Sequence, residues 1–211
     1  MTPIDLTSWP RKQHFSLFKE FTQPYFNVCV QLDMAAFYQY CKAQQYSFFH
    51  AYIYAALQAS NAYQPMLLRI IDNMPWQLTA QRASVVELAD DDTFRFSYLL
   101  PKQSFADFQV HARAVSLATK QQPLFSEAFA CTEGQADLLH ISVLPWLDFM
   151  SFSHAFSQSD NFGIPKLVFG KFNAKTGKMP FSIDVHHALM DGLHVAKFIE
   201  QLQRCIDDFC V

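Results

Sequence analysis

The sequence predicts a single α/β domain, a mixed sheet flanked by helices, and three observations predict it. Stretches that alternate apolar and polar residues stand beside stretches whose apolar residues recur at helical spacing. The two kinds are mixed without strict strand–helix–strand alternation, which points to a mixed sheet with helices packed on it. The chain has 211 residues, enough for one real core, and no repeat, low-complexity tract or Gly/Pro/Ser linker divides it. Residues 1–211 are therefore read as one domain.

Taken in order, residues 11–21 predict a short helix after Pro10, with Phe15 and Phe18 on one face. Residues 25–32 predict a strand. Phe26, Val28 and Val30 point one way; Asn27, Cys29 and Gln31 point the other. Asp33 is placed to cap a helix that runs to residue 44. Residues 48–62 predict a more buried helix, because Phe49, Ile53, Ala56 and Leu57 repeat at helical spacing. Residues 66–100 are β-like, with turn signals at Asp72-Asn73 and at Asp90-Asp91-Asp92. Residues 104–120 predict a helix with Phe105, Phe108, Ala112, Val115 and Leu117 on one face. Residues 138–144 predict a strand that Pro145 ends, and residues 166–172 and 178–187 predict two strands joined by a short turn at 173–177. A last helix starts near Asp191, with Val195, Ile199, Leu202, Ile206 and Phe209 in an amphipathic stripe.

Composition narrows the function classes. A formal net charge of −3 lacks the basic excess of a nucleic-acid footprint. The 22 Phe supply a thick core or an apolar pocket. Five cysteines, an odd number without a Cys-x-x-Cys pair, point to a reducing compartment. The first fifteen residues lack the apolar core of a signal peptide, and no apolar run reaches the ~18 residues a membrane helix needs. The expectation is a soluble cytoplasmic protein that touches neither nucleic acid nor membrane.

Chemistry concentrates in one heptad, His186-His187-Ala188-Leu189-Met190-Asp191-Gly192. Histidine titrates nearest neutrality and suits proton removal. Strand phase puts His187 with the apolar positions 179, 181, 183 and 185, and His186 with Ser182 and Asp184. An imidazole shielded at the end of the apolar side favours its neutral, proton-accepting form. On that argument His187 is the base and His186 a supporting or structural residue; a hydrogen-bonded core histidine is the plainer alternative for a lone His on an apolar face. Asp191 stands where a helix begins, either as its cap or as the partner of a buried cation. Gly192 permits a backbone shape or close packing that a side chain would block. His186, His187, Asp191 and His194 also suit a metal by type. The two adjacent histidines face opposite sides, however, and no second cluster supplies ligands, so no metal is expected.

The segment HHALMDGLHVAKF at 186–198 resembles the active-site signature of the chloramphenicol acetyltransferase family. Trp9-Pro10-Arg11-Lys12-Gln13-His14-Phe15 resembles the family's N-terminal tryptophan-plus-basic motif. Ile141-Ser142-Val143-Leu144-Pro145-Trp146-Leu147-Asp148-Phe149 resembles its I-S-x-L-P-W segment. The three stand in family order and span nearly the whole chain. The resemblance implies a two-layer sandwich and an O-acetyltransferase using acetyl-CoA as co-substrate, with chloramphenicol as acceptor. It also implies a homotrimer whose sites lie between subunits. His187 is implied as the base that takes the acceptor's hydroxyl proton, and Ser142 as the donor that steadies the oxyanion. Arg11 and Asp191 become a buried ion pair that shapes the site, and a guanidinium fork suits that task. Trp146 packs on coenzyme A and Phe172 stands near it. Phe18, Phe26, Phe152, His154 and Val168 fall to the acceptor pocket.

The chain departs from the family at several of these positions. Val168 stands for a threonine, Phe18 and Phe172 for tyrosines, and His154 for an apolar pocket residue. The base and the oxyanion donor are kept while the acceptor pocket changes. Other readings therefore stay open: the same chemistry on a different hydroxyl or amine, or a non-catalytic relative that binds the small molecule. The core of a dihydrolipoamide acyltransferase shares His-x-x-x-Asp-Gly, as do condensation domains of about twice this length.

Overall fold

The computed structural model describes residues 1–156 and 162–210. Its strands are β1 (Thr2–Pro3), β2 (Tyr25–Asp33), β3 (Leu68–Ile71), β4 (Met74–Gln77), β5 (Arg82–Leu88), β6 (Phe94–Leu99), β7 (Leu138–Val143), β8 (Lys166–Phe169) and β9 (Lys178–His186). Its helices are α1 (Lys12–Phe18), α2 (Ala35–Ala43), α3 (Phe48–Ala62), α4 (Phe105–Lys120), α5 (Glu127–Thr132) and α6 (Gly192–Asp208). Six strands form one sheet in the order β2-β9-β8-β7-β5-β6. The β5–β7 and β7–β8 pairs are parallel and the rest antiparallel, so the sheet is mixed as expected. The predicted β-rich middle divides: β3 and β4 leave the main sheet and pair with the N-terminal β1.

Register sorts the main sheet into two faces. Partners across neighbouring strands share a face. One row runs Ser142, Val168, Ser182, Cys29; the next runs His140, Lys166, Asp184, Asn27. The opposite face carries Ile141, Leu167, Ile183 and Val28, and Val143, Phe169, Phe181 and Val30 beside them. This apolar face joins α3 and α6 in the core: Ile53, Leu57, Phe198 and Leu202 are buried with it, and the Tyr52 ring lies 4.8 Å from Phe169. Burial of that face drives the two-layer arrangement.

Several expectations shift in detail. Met34, not Asp33, occupies the α2 cap position, although Asp33 Oδ1 still accepts the Ala35 N–H at 3.3 Å. Leu117 is 65% exposed, because the buried row of α4 steps by fours through Phe108, Ala112 and Ser116. The strand expected over 166–172 ends at Phe169, which leaves Phe172 outside the sheet. α5 follows Ser126, whose hydroxyl accepts the Phe129 N–H; six residues are too few for a periodic signal.

Candidate active site

The His187 corner is built by contacts between distant parts of the chain. β9 ends at His186, and the His187 N–H continues the pairing by donating to the Pro24 carbonyl at 2.8 Å. The imidazole lies flat against Phe18, with centroids 3.8 Å apart and planes at 3°, and Phe26 flanks it at 4.8 Å. Phe26 is paired with Val185, on the apolar face that strand phase assigned to His187. Nδ1 is buried without a hydrogen-bond partner, so Nε2 is the nitrogen on the accessible side. A neutral ring with its hydrogen on Nδ1 leaves the Nε2 lone pair free to take a proton.

Arg11 fixes the other side of this corner. It precedes α1, and its guanidinium spans the gap to the start of α6. Nη1 lies 2.5 Å from Asp191 Oδ2, and Nη2 donates to the His187 carbonyl at 3.1 Å. One side chain thus holds both the residue that opens α6 and the backbone of the histidine. Asp191 occupies the α6 cap position, and its other oxygen lies 2.7 Å from His194 Nδ1. Burial alone would raise the Asp191 carboxyl, but hydrogen bonds from Arg11 and His194 outweigh it and hold the group down at about 2. The expected buried pair is only half-buried: Asp191 keeps 34% side-chain exposure. The expected packing demand at Gly192 is absent, since an added Cβ would meet nothing within 4 Å.

His186 faces the polar side, as phase predicts. It is buried, its Nδ1 accepts the Ala188 N–H at 3.2 Å, and Tyr25 packs edge-on at 5.2 Å. It lines a cavity of about 950 Å³ that His187 does not reach. His154 lines the same cavity. Its Nδ1 lies 2.7 Å from Asp184 Oδ2, and the Asn27 amide donates to the same oxygen at 2.9 Å. Phe152 packs edge-on against His154 at 4.8 Å. Sequence reading placed His154 in a pocket but missed Asp184; alternate residues on β9 were the available signal.

Ser142 is not brought to His187. Its row reaches Ser182 across two strand spacings, and His187 lies five residues farther along β9. That is about 10 Å across and about 17 Å along, roughly 19 Å in all. Val168, between Ser142 and Ser182, is fully buried and lines none of the cavities described here. Trp146, 60% exposed, and Phe172 both line a second cavity of about 680 Å³ whose lining also includes Phe48, Tyr52 and Lys171. Among the described residues no three His, Cys, Asp or Glu side chains converge as a metal would require.

Known proteins resemble this chain over nearly its whole length. A family profile described as chloramphenicol acetyltransferase matches residues 1–203. A chloramphenicol acetyltransferase of Escherichia coli is 28% identical over 99% of this chain and 94% of its own length. Chloramphenicol acetyltransferase 2 of Haemophilus influenzae is 28% identical over 98% of this chain and 97% of its own. Among solved structures, a chloramphenicol acetyltransferase superposes with a TM-score of 0.85 at 24% identity, covering 98% of this chain and all of its own. A probable dihydrolipoamide acetyltransferase from Listeria monocytogenes shares the fold more loosely, with a TM-score of 0.63 at 14% identity over 99% of this chain and 94% of its own.

Proposed function

Because the chain belongs to the chloramphenicol acetyltransferase family, we propose that residues 1–211 act as one acetyltransferase domain that moves acetyl from acetyl-CoA directly to chloramphenicol, with His187 as general base. The protein is an acyltransferase, and full-length similarity to chloramphenicol acetyltransferases supports chloramphenicol as the acceptor. The observation that carries the mechanism is the clamped imidazole, with Nδ1 sealed and Nε2 open. Nε2 takes the proton of the acceptor hydroxyl as its oxygen attacks the thioester carbonyl. A serine hydroxyl donates to the oxyanion of the tetrahedral intermediate. The C–S bond then breaks, and the imidazolium returns the proton to the departing thiolate. General-base help is worth about 10²–10⁴-fold, and one oxyanion donor about 10²–10³-fold.

The ~19 Å between His187 and Ser142 within one chain supports a site shared between subunits. We read the enzyme as a homotrimer in which the serine facing His187 is Ser142 of the partner subunit. Trp146 and Phe172, on one cavity wall, are read as the coenzyme's packing surface, and no resident metal is invoked. Phe18, Phe26, Phe152, His154 and Val168 remain the acceptor-pocket assignment; Val168 would contribute from beneath the surface. No helix among the described residues is long and apolar enough to cross a membrane, and a cytoplasmic location suits acetyl-CoA chemistry. A second acceptor is favoured by one observation. His154, held by Asp184, carries a buried Nε2 without a partner, which suits a more polar ligand than an apolar residue would. The test mixes purified protein, acetyl-CoA and chloramphenicol and follows free thiol. Release above the no-acceptor control is expected; its absence, with other hydroxyl and amine acceptors active, would transfer the chemistry to the second reading.

A further inference from the structure

The cavity that holds Trp146 and Phe172 also holds a carboxylate that the acyl-transfer mechanism does not use. Glu87 lies on β5 and its side chain is only 6% exposed. Its Oε2 accepts from the Ser116 hydroxyl and lies 3.8 Å from Lys120 Nζ, while Oε1 is buried without a partner. His50, on the same cavity wall at the start of α3, is likewise buried, and its Nδ1 also has no partner. Burial pushes the His50 imidazole below its usual range, and the positive charges of Arg113 and Lys120 push the same way against Glu87. His50 is therefore neutral at pH 7, able to donate from one nitrogen and accept at the other.

Ser116 and Lys120 satisfy one Glu87 oxygen, but an isolated fold gains nothing from the unpartnered Glu87 Oε1 and His50 Nδ1. Burying an acceptor with no donor costs the full desolvation of that atom. The cost is recovered only if an occupant of the cavity brings hydrogen-bond donors. The coenzyme's phosphates would be repelled by Glu87 and suit the exposed Lys171 on the cavity wall instead. Its pantetheine arm is uncharged and carries two amide N–H groups and a hydroxyl.

We propose that Glu87, with His50 beside it, is a hydrogen-bonding seat for the pantetheine arm, Glu87 Oε1 accepting from an amide N–H or hydroxyl of that arm. The assignment rests on the coenzyme reading above and makes Glu87 a specificity-determining residue for the acyl donor. Ser116 and Lys120 hold the other carboxylate oxygen and so fix the direction of the free one.

Calorimetric titration of the folded protein with coenzyme A and with 3′,5′-ADP, which lacks the arm, tests this without any acceptor. Glu87→Leu is expected to weaken coenzyme A about 10-fold or more, as for loss of a buried hydrogen bond to a charged group, and to leave 3′,5′-ADP unchanged. Its melting temperature should equal or exceed that of wild type. Glu87→Gln keeps the shape and one acceptor oxygen, and should lose only a few-fold; it serves as the test if the leucine variant does not fold. Wild-type affinity for coenzyme A in both variants overturns the proposal, as does equal loss of coenzyme A and 3′,5′-ADP. A wild-type protein that binds neither ligand would instead remove the coenzyme reading on which the proposal stands.

Discussion

The two halves of the proposed catalytic site are built differently. At the His187 corner, Phe18, Pro24, Phe26, Arg11 and Asp191 converge from the two ends of α1, the start of β2 and the cap of α6, and each meets its partner within the chain. At Ser142, the hydroxyl stands in a partly buried row whose chain continues into the exposed Pro145-Trp146-Leu147, and His187 of the same chain lies ~19 Å away. In the proposed homotrimer one half is finished by folding and the other would be finished by association. The histidine must be oriented before substrate arrives, and a stack with two flanking contacts does that. The serine needs only to be presented from a rigid strand to whatever chain faces it.

The sharpest way to break this contrast is to remove the base. His187→Ala should lower kcat/KM by about 10²–10⁴-fold in the thiol-release assay while the melting curve stays cooperative. His186→Ala should behave differently. That ring supports the Ala188 N–H and packs on Tyr25, so its loss should act first on stability. Equal rate losses with equal melting curves would show that strand phase chose the wrong histidine.

Association can be broken separately. Ser142→Ala should cost about 10²–10³-fold in kcat. If each site takes its histidine from one chain and its serine from another, co-refolded His187→Ala and Ser142→Ala chains should regain about a quarter of wild-type activity, by random pairing in a closed symmetric oligomer. An inactive mixture would show that both groups act within one chain, after a rearrangement of ~19 Å along the sheet.

A smaller effect is expected from the clamp that joins α1 to α6. Arg11→Ala removes hydrogen bonds to Asp191 and to the His187 carbonyl and should cost about 1–3 kcal/mol of stability. The same pair sets an acid limit. The Asp191 carboxyl is held at about 2 against an ordinary 3.8, so its contribution is complete above 3.8 and is lost as pH falls through about 2. Thermal melts between pH 5 and 2 should therefore decline less steeply in Arg11→Ala than in wild type. Parallel declines would mean that solvent already screens the pair.

How much of this was legible in the sequence follows from the range of each interaction. Period-two phase correctly separated His186 from His187, because the two-residue repeat survives wherever a strand survives. Motif order paired Arg11 with Asp191 across most of the chain, which local pattern alone could not do. The exposure of Asp191 and Leu117 was misjudged, since neighbours off the element decide it. β1, two residues long, and α5, six, carry too little periodicity to read. Glu87 was silent for the opposite reason: in a β-like stretch an acid at an alternate position reads as solvent-facing. Only the packing of α3 and α4 shows it buried.

The mildest test concerns the stack itself. Phe18 lies parallel to the imidazole at 3.8 Å and Phe26 meets it at an angle of 49°, so Phe18 fixes the ring plane and Phe26 limits its tilt. An aromatic contact of this kind is worth about 0.5–1.5 kcal/mol beyond burial. Phe18→Leu keeps an apolar wall but loses the flat one, and should lower kcat roughly 3–10-fold. The KM for acetyl-CoA should not move, because Phe18 lies apart from the Trp146–Phe172 cavity. Phe18→Tyr keeps the ring and should retain kcat within about twofold of wild type. If the leucine variant instead raises the KM for both substrates and leaves kcat alone, Phe18 is a pocket wall and the orientation of His187 comes from its backbone ties to Pro24 and Arg11.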